Sequence, residues 1–284
     1  MPVSTIIAPS DLRAQTQEWR LNRKKIAFVP TMGALHDGHM SLVEAAQSRA
    51  DRVIVSIFVN PLQFGPKEDF GSYPRMLQQD LEKLEGRGVD VLFAPIAADM
   101  YPEGFQTVVT NNVINNILDG RSRPGHFDGV LTVVSKLFNL VQPDVACFGK
   151  KDYQQLTLIT NMVRDLCFPI EIIGCETLRD DDGLAMSSRN LRLTPAERQL
   201  APHLYRGLKK ISDAYSAGEK DPAKLIQSFT NDLSKVKEFR LDTIDIRTQD
   251  RLQAFDGRVD QPAVALVAAH LGSVRLIDNL EFGA

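Results

Sequence analysis

The chain has 284 residues, 43% of them apolar and 24% charged, which predicts one large globular domain or two modest ones with enough core to frame a substrate cleft. Its 33 Lys and Arg stand against 36 Asp and Glu, and a division near residue 177 gives 17 against 20 and then 16 against 16, so neither half has the basic surplus of a non-specific nucleic-acid binder. No apolar run reaches the ~20 residues of a membrane span, and the N-terminus lacks the order of a signal peptide, so a cytoplasmic protein with no membrane partner is expected.

From residue 26 to 175 short apolar runs alternate with helix-length amphipathic segments. Strands are predicted at 26–29, 53–58, 89–93, 144–148 and 170–174, with helices at about 38–50, 74–87, 129–141 and 152–166. Several strands are rich in Val and Ile without alternation, as in a sheet buried on both faces. The pattern reads as a doubly wound parallel α/β sheet. After about residue 177 it changes: helical stretches at 195–216 and 222–237 precede strands at 239–247, 263–271 and 273–279, the pattern of a smaller α+β domain. The expected domains are therefore 1–177 and 178–284. Asp180-Asp181-Asp182-Gly183 predicts a hinge or turn between the two patterns. Cys147, Cys167 and Cys175 have no CxxC spacing and lie in or beside apolar stretches, so buried reduced thiols are expected.

The most informative segment is PTMGALHDGH, residues 30–39, between the first predicted strand and the first long helix. That junction lies at the carboxyl edge of an open α/β sheet, where a helix N-terminus offers N–H groups and positive potential to an anion. His36 and His39, three apart, can face one phosphate-sized space, and Gly38 removes a side chain from it. An HxGH here suits a nucleoside triphosphate. A pair of helix-capping histidines is the plainer reading. No GxxxxGKS/T loop occurs, and no GxGxxG follows the first strand, so P-loop and dinucleotide sites are not supported.

Met186-Ser187-Ser188-Arg189-Asn190 combines two hydroxyls and a guanidinium on a predicted loop, a donor set for phosphate oxygens or simply a solvated loop. Phe148-Gly149-Lys150-Lys151-Asp152-Tyr153-Gln154-Gln155 is a second strand-to-helix junction with cations, where Gln155 can point to the same side as Asp152, or a solvated basic turn. Asn60-Pro61-Leu62-Gln63 follows the second strand with uncharged amides for a small polar substrate. Residues 64–75, with Gly65, Pro66, Gly71 and Pro74, read equally as a lid or a surface loop. In RPGHF, residues 123–127, His126 is either a substrate contact or a hydrogen-bonded structural histidine, while His203 and His270 are read as structural.

PTMGALHDGH, SIFVNPLQF, RPGHF, CFGKKDYQQL and DGLAMSSRN, in this order and with VAAHLGSVRLIDN near the end, resemble the pantoate–β-alanine ligase family over essentially the whole chain. The resemblance implies a Rossmann-like domain of the HxGH nucleotidyltransferase type, a smaller C-terminal domain closing over the site, and a homodimer. It implies condensation of (R)-pantoate with β-alanine, driven by ATP with Mg2+ and giving pantothenate, AMP and pyrophosphate through a pantoyl adenylate. By motif, Met32, Gly33, Ala34, Leu35, His36, Asp37, Gly38 and His39 would hold ATP, together with Gly149, Lys150, Lys151, Asp152, Leu178, Met186, Ser187, Ser188 and Arg189. His39, His36, Lys151 and Arg189 would act on the reacting phosphate, and Gln63 and Gln155 would hold pantoate; no metal ligand is assigned. One departure is Lys150, where the family's GEKD would place an acidic residue. The competing enzyme reading is another HxGH adenylyltransferase acting on a phosphate monoester, whose acceptor pocket should be basic.

Overall fold

The computed structural model describes residues 3–66, 68 and 70–283, which divide into two compact units: 3–150 with 158–176, and 151–157 with 177–283. In the first unit the elements run β1 (Ser4–Ile6), α1 (Pro9–Leu21), β2 (Ile26–Thr31), α2 (Asp37–Gln47), β3 (Arg52–Ile57), α3 (Leu77–Leu84), β4 (Val91–Phe93), α4 (Ala97–Met100), α5 (Leu118–Ser122), α6 (His126–Val141) and β5 (Val145–Gly149). Helix α7 (Tyr153–Asp165), whose first turn belongs to the second unit, leads to β6 (Glu171–Cys175).

The six strands form one sheet in the order β1-β4-β3-β2-β5-β6, with every pairing parallel. This is the doubly wound sheet the apolar runs predict. Its covering is visible in β2: Ala27 and Val29 pack with Leu35, Met40, Val43 and Ala46, while Phe28, on the opposite face, meets Phe138 of α6 edge-on at 6.5 Å between ring centroids. The strand order reverses at β2, which has β3 on one side and β5 on the other, and ligand crevices form outside the carboxyl ends of such strands.

Four elements of this unit escape the periodicity argument: the short helices α4 and α5, and β1 and α1. Strand β1 is three residues long and largely exposed, and it joins the sheet only because Ser4, Thr5 and Ile6 pair with Val91, Leu92 and Phe93. Helix α1 buries just Leu12, Thr16 and Trp19.

In the second unit, α8 (Pro195–Leu200), α9 (His203–Ser216) and α10 (Pro222–Leu233) precede an antiparallel sheet of β7 (Phe239–Thr248), β8 (Ala263–Leu271) and β9 (Val274–Phe282). The single helix expected at 195–216 is thus two, parted at Ala201 and Pro202, where the proline lacks the N–H needed to continue. Leu204, Leu208 and Ile211 share a core with Leu225, Phe229, Val267 and Leu276. Asp180 to Gly183 forms a tight turn: the Gly183 N–H donates to Asp180 O at 2.8 Å, with Gly183 at φ +95°.

The cysteine expectation needs correcting. Cys147 is buried, but Cys175 is only half-buried and Cys167 is exposed, because Cys167 sits at φ +55° in the turn that ends α7. Donating a hydrogen bond to Cys175, then burial, pushes the Cys147 thiol up, while accepting that bond holds Cys175 below the usual thiol range.

Candidate active site

The segment between β2 and α2 is held by side chains from three directions. Gly33 and Ala34 both adopt positive φ, +85° and +51°, turning successive N–H groups inward. Those of Ala34 and Leu35 donate to the two carboxylate oxygens of Asp80 at 2.8 and 2.7 Å, and Gly33 N–H donates to Thr31 Oγ1 at 3.1 Å. Lys83 Nζ donates to Leu35 O at 2.6 Å. The N–H groups of residues 33–35 thus already have acceptors within the protein, and the expectation of donors for an anion concerns the start of α2. Helix α2 then begins at Asp37 with His36 before it; the His36 N–H donates to His39 Nδ1 at 3.2 Å, and the two imidazole centroids lie 4.1 Å apart. The i, i+3 spacing thus brings both histidines to one place at the start of α2.

Gln63 reaches this loop. Its Nε2 donates to Met32 Sδ at 3.1 Å, and its Oε1 accepts from Asn60 Nδ2 at 3.0 Å. Asn60, 1% exposed, cannot serve a ligand as its amide was expected to. Its Nδ2 also donates to Gly129 O at 3.0 Å, and its Oδ1 accepts from Tyr101 Oη at 2.7 Å and Leu62 N–H at 3.3 Å. A backbone carbonyl on one side and a backbone N–H on the other fix which end of the Asn60 amide is which. The orientation of Gln63 follows, with its NH2 end toward Met32. Burial pushes the Tyr101 phenol up, so it stays a proton donor.

The backbone of Gln63 is held as well. His126 Nδ1 lies 2.7 Å from Gln63 O and its Nε2 lies 2.9 Å from Arg123 Nη1. Since guanidinium can only donate, Nε2 accepts and the neutral ring's proton sits on Nδ1, donating to Gln63 O. Burial and the adjacent Arg123 charge push His126 down to about 4. The structural alternative for His126 therefore has both ring nitrogens in its favour. Arg123 in turn pairs with both oxygens of Glu68 at 2.6 and 2.7 Å. Burial opposes the Glu68 charge, but Arg123 outweighs it and holds the carboxyl below its usual range. Of the 64–75 segment read as a lid or loop, Lys67 and Asp69 lie outside the described residues; Phe64 packs on Phe70 and Tyr73.

At the end of β5, beside β2, come Gly149 and Lys150. Lys150 Nζ pairs with Glu176 Oε1 at 2.6 Å, so a carboxylate 26 residues on faces the cation that departs from the family pattern.

The remaining candidates belong to the second unit. Lys151 O accepts from Asn279 Nδ2 at 2.9 Å, Asp152 is exposed, and Gln155 is half-buried in the first turn of α7. Leu178 and Met186 are paired by the Met186 N–H to Leu178 O bond at 3.0 Å, so two separate motif positions meet on one hairpin. Ser187 Oγ accepts from Arg189 N–H at 3.2 Å, capping a 3-10 turn that carries Ser188 and Arg189. Arg179 anchors the hairpin: it makes two bonds to Asp278, at 2.7 and 2.9 Å, and its guanidinium lies 3.7 Å from the Tyr205 ring centroid. His203, read as structural, has Nδ1 2.8 Å from Leu200 O.

Residues 4–281 match the family model described as pantoate-beta-alanine ligase. The chain belongs to the pantoate–β-alanine ligase family. Members of this family are enzymes, and the whole length of this one is similar to solved relatives. Pantothenate synthetase from Thermus thermophilus matches at 46% identity and TM-score 0.92, over 98% of this chain and 99% of that one. The pantoate-beta-alanine ligase of Francisella tularensis, solved in complex with beta-gamma ATP and beta-alanine, matches at 37% identity and TM-score 0.80, over 98% and 97%.

Sequence reasoning missed Asp80, Lys83, Tyr101 and Arg179, each of which holds a candidate residue in place. No local signal marks them. Asp80 and Lys83 look like ordinary charges of an amphipathic helix, and Arg179 and Asp278 are 99 residues apart.

Proposed function

We propose that the protein joins (R)-pantoate to β-alanine at the expense of ATP, through an enzyme-bound pantoyl adenylate. The observation that carries this reading is the contact of Gln63 with Met32: an uncharged amide whose donor end is fixed sits beside the first residue of the HxGH loop. A substrate oxygen bound by Gln63 would lie next to a nucleotide bound by that loop. The ATP and β-alanine of the Francisella relative support the same substrates here.

A carboxylate and an amine do not condense in neutral water, so the carboxylate must first gain a leaving group. A pantoate carboxylate oxygen forms a bond to the α-phosphorus while the bond to pyrophosphate breaks, and charge gathers on the phosphoryl oxygens and the departing group. His36, His39, Lys151, Ser187, Ser188 and Arg189 are assigned by motif to meet that charge, with Met32 to His39, Gly149 to Asp152, Leu178 and Met186 holding the nucleotide. Gln63 and Gln155 hold pantoate. The neutral amine of β-alanine then attacks the acyl carbon, AMP leaves with the electron pair, and the nitrogen loses a proton. No side chain acts as nucleophile. The second half-reaction depends on proximity and exclusion of water, which gives the smaller domain, 178–284, a role as a cover.

Among the described residues no three His, Cys, Asp or Glu side chains gather as a metal cage. In the proposed reaction Mg2+ would come carried by the nucleotide, since this ion is commonly held by substrate phosphates. When bound there it would neutralise charge on the phosphates. A cytoplasmic homodimer accompanies the reading; among the described residues no helix is long and apolar enough to cross a membrane, and Val108 and Val113 are exposed apolar side chains that a second copy could cover.

The alternative adenylyltransferase reading requires cations for a phosphorylated acceptor, whereas the contacts of Gln63 are Asn60, Met32 and a histidine held neutral. The deciding experiment supplies ATP, magnesium and pantoate labelled with oxygen-18 in its carboxylate. Without β-alanine, pyrophosphate should form at about one per site; with β-alanine, label should appear in AMP. Unlabelled AMP, or faster adenylylation of phosphopantetheine than of pantoate, would overturn the proposal.

A further inference from the structure

The Asp80 carboxylate is fully buried, and a charge so placed needs strong partners. Two of its partners are consecutive backbone N–H groups, Ala34 and Leu35. These converge because Gly33 and Ala34 both adopt positive φ, which makes a concave backbone nest of the kind that binds anions. The nest is tight: a Cβ on Gly33 would lie 3.0 Å from Asp80 Oδ2 and 3.0 Å from Ile57 Cγ2. One turn further along α3, Lys83 takes the carbonyl of Leu35, so two side chains of one helix face grip both polar sides of the same residue.

We infer that Asp80, supported by Lys83, is a positioning residue for the nucleotide: its carboxylate is a built-in anion that fills the nest of residues 33–35 and sets the start of α2 before any ligand arrives. This rests on the reading that the HxGH loop holds ATP. Two consequences follow from the geometry. Phosphate is kept from residues 33–35 and directed to the first amides of α2, at Asp37 and Gly38, and to His36 and His39. The left-handed conformation of Ala34, unfavourable for any residue with a Cβ, is offset by the two charge-assisted hydrogen bonds and needs no ligand to hold it.

Asp80→Asn tests this, because an amide can accept from only one of the two N–H groups and sets a donor against the other. Lys83→Met, at an exposed residue, is the milder partner variant, and Ala34→Gly removes the strain the carboxylate offsets. KM for ATP, KM for pantoate and kcat per titrated active site are measured together, with ATP binding read directly by calorimetry in magnesium. Asp80→Asn is expected to raise the ATP KM and Kd about tenfold or more, with pantoate KM unchanged and kcat per active site within about threefold. Lys83→Met should raise the ATP values about threefold, and Ala34→Gly added to Asp80→Asn should recover part of the loss. Folded Asp80→Asn protein with ATP Kd within about twofold of the parent overturns the inference, as does a fall in active fraction with every KM unchanged. Should Asp80→Asn not fold, unaltered ATP binding by Lys83→Met overturns it. Parent protein that binds ATP but makes no pantothenate would count against the proposed reaction, while the binding comparison still decides the role of Asp80.

Discussion

Asn60 donates its amide hydrogen to the side-chain oxygen of Gln63 at 3.0 Å, and so makes Gln63 a donor at its other end. Gln63→Glu should keep the Asn60 bond, since a carboxylate oxygen can still accept, but it replaces the NH2 by a second anionic oxygen. Affinity for pantoate, itself an anion, should fall about 100-fold or more while ATP affinity is unchanged, as calorimetric titration of each would read. Tyr101→Phe removes one of the two donors to Asn60 Oδ1 and should lower stability by about 1 kcal/mol in thermal denaturation, with a smaller effect on pantoate than Gln63→Glu.

His39→Ala and Lys151→Ala should each lose on the order of 10² to 10³ in kcat while far-ultraviolet circular dichroism stays that of the parent. Both are assigned to charge that appears only as the α-phosphate reacts. Near-normal turnover by folded His39→Ala protein would remove the HxGH assignment.

His126 gives the protein a pH dependence of stability. Its native value of about 4 lies below the 6.5 of an unfolded histidine, so between those values the unfolded chain binds more protons and stability rises with pH. Acidification from pH 6.5 toward 4 should therefore remove up to about 3 kcal/mol by this group alone. The loss should set in as pH drops below 6.5, and His126→Gln should flatten that part of the profile. Urea denaturation at a series of pH values measures it, and parallel profiles for the two proteins would refute the claim.

Gly129 lies against the turn that carries Gln63. A Cβ there would fall 2.4 Å from Leu62 C and O and 2.6 Å from Gln63 N, all backbone atoms. Gly129→Ala should thus cost about 1 to 3 kcal/mol of stability and weaken pantoate binding, while the same substitution at Gly71, which has nothing within 4 Å of that direction, should leave pantoate binding as it was. Paired thermal melts and pantoate titrations of the two variants make the comparison.

Arg179 and Asp278 form a buried pair, 16% and 4% exposed at the side chain. Arg179→Leu should cost about 3 kcal/mol because it removes the counter-charge of the Asp278 carboxylate, which still accepts from the Asn279 N–H at 2.8 Å. Adding Asp278→Leu should recover part of that loss. Additive losses in the double-mutant cycle would show that the pairing is not what holds the hairpin.

The sheet was readable because strands buried on both faces leave continuous apolar runs, as in Val53 to Ile57, and because α2, α6 and α7 repeat apolar residues at helical spacing. β1 left no such trace, being short and stabilised by its pairing with β4 alone. At the candidate site the motif residues were legible and their supports were not. Asn60 illustrates the limit: its place in the chain marked it as a site residue, but only the tertiary structure shows its amide turned to Gly129 and Gln63 instead of outward. Asp80 is the converse, an unremarked charge on α3 whose carboxylate shapes the loop 46 residues before it. Contacts of this range depend on the packing of whole elements, which spacing along one segment does not encode.

The anchoring of Arg179 by Asp278 bears on the order in which the protein is made. The hairpin from Leu178 to Met186 is synthesised before β9, whose Asp278 carboxylate follows Arg179 by 99 residues. Until β9 pairs with β8, Arg179 has no Asp278 and the Ser187–Arg189 turn hangs from an unsecured hairpin. In a chain whose β9 has not yet paired with β8, the hairpin that leads to the Ser187–Arg189 turn therefore lacks its anchor, whatever the state of the parallel sheet and its histidine-bearing loop.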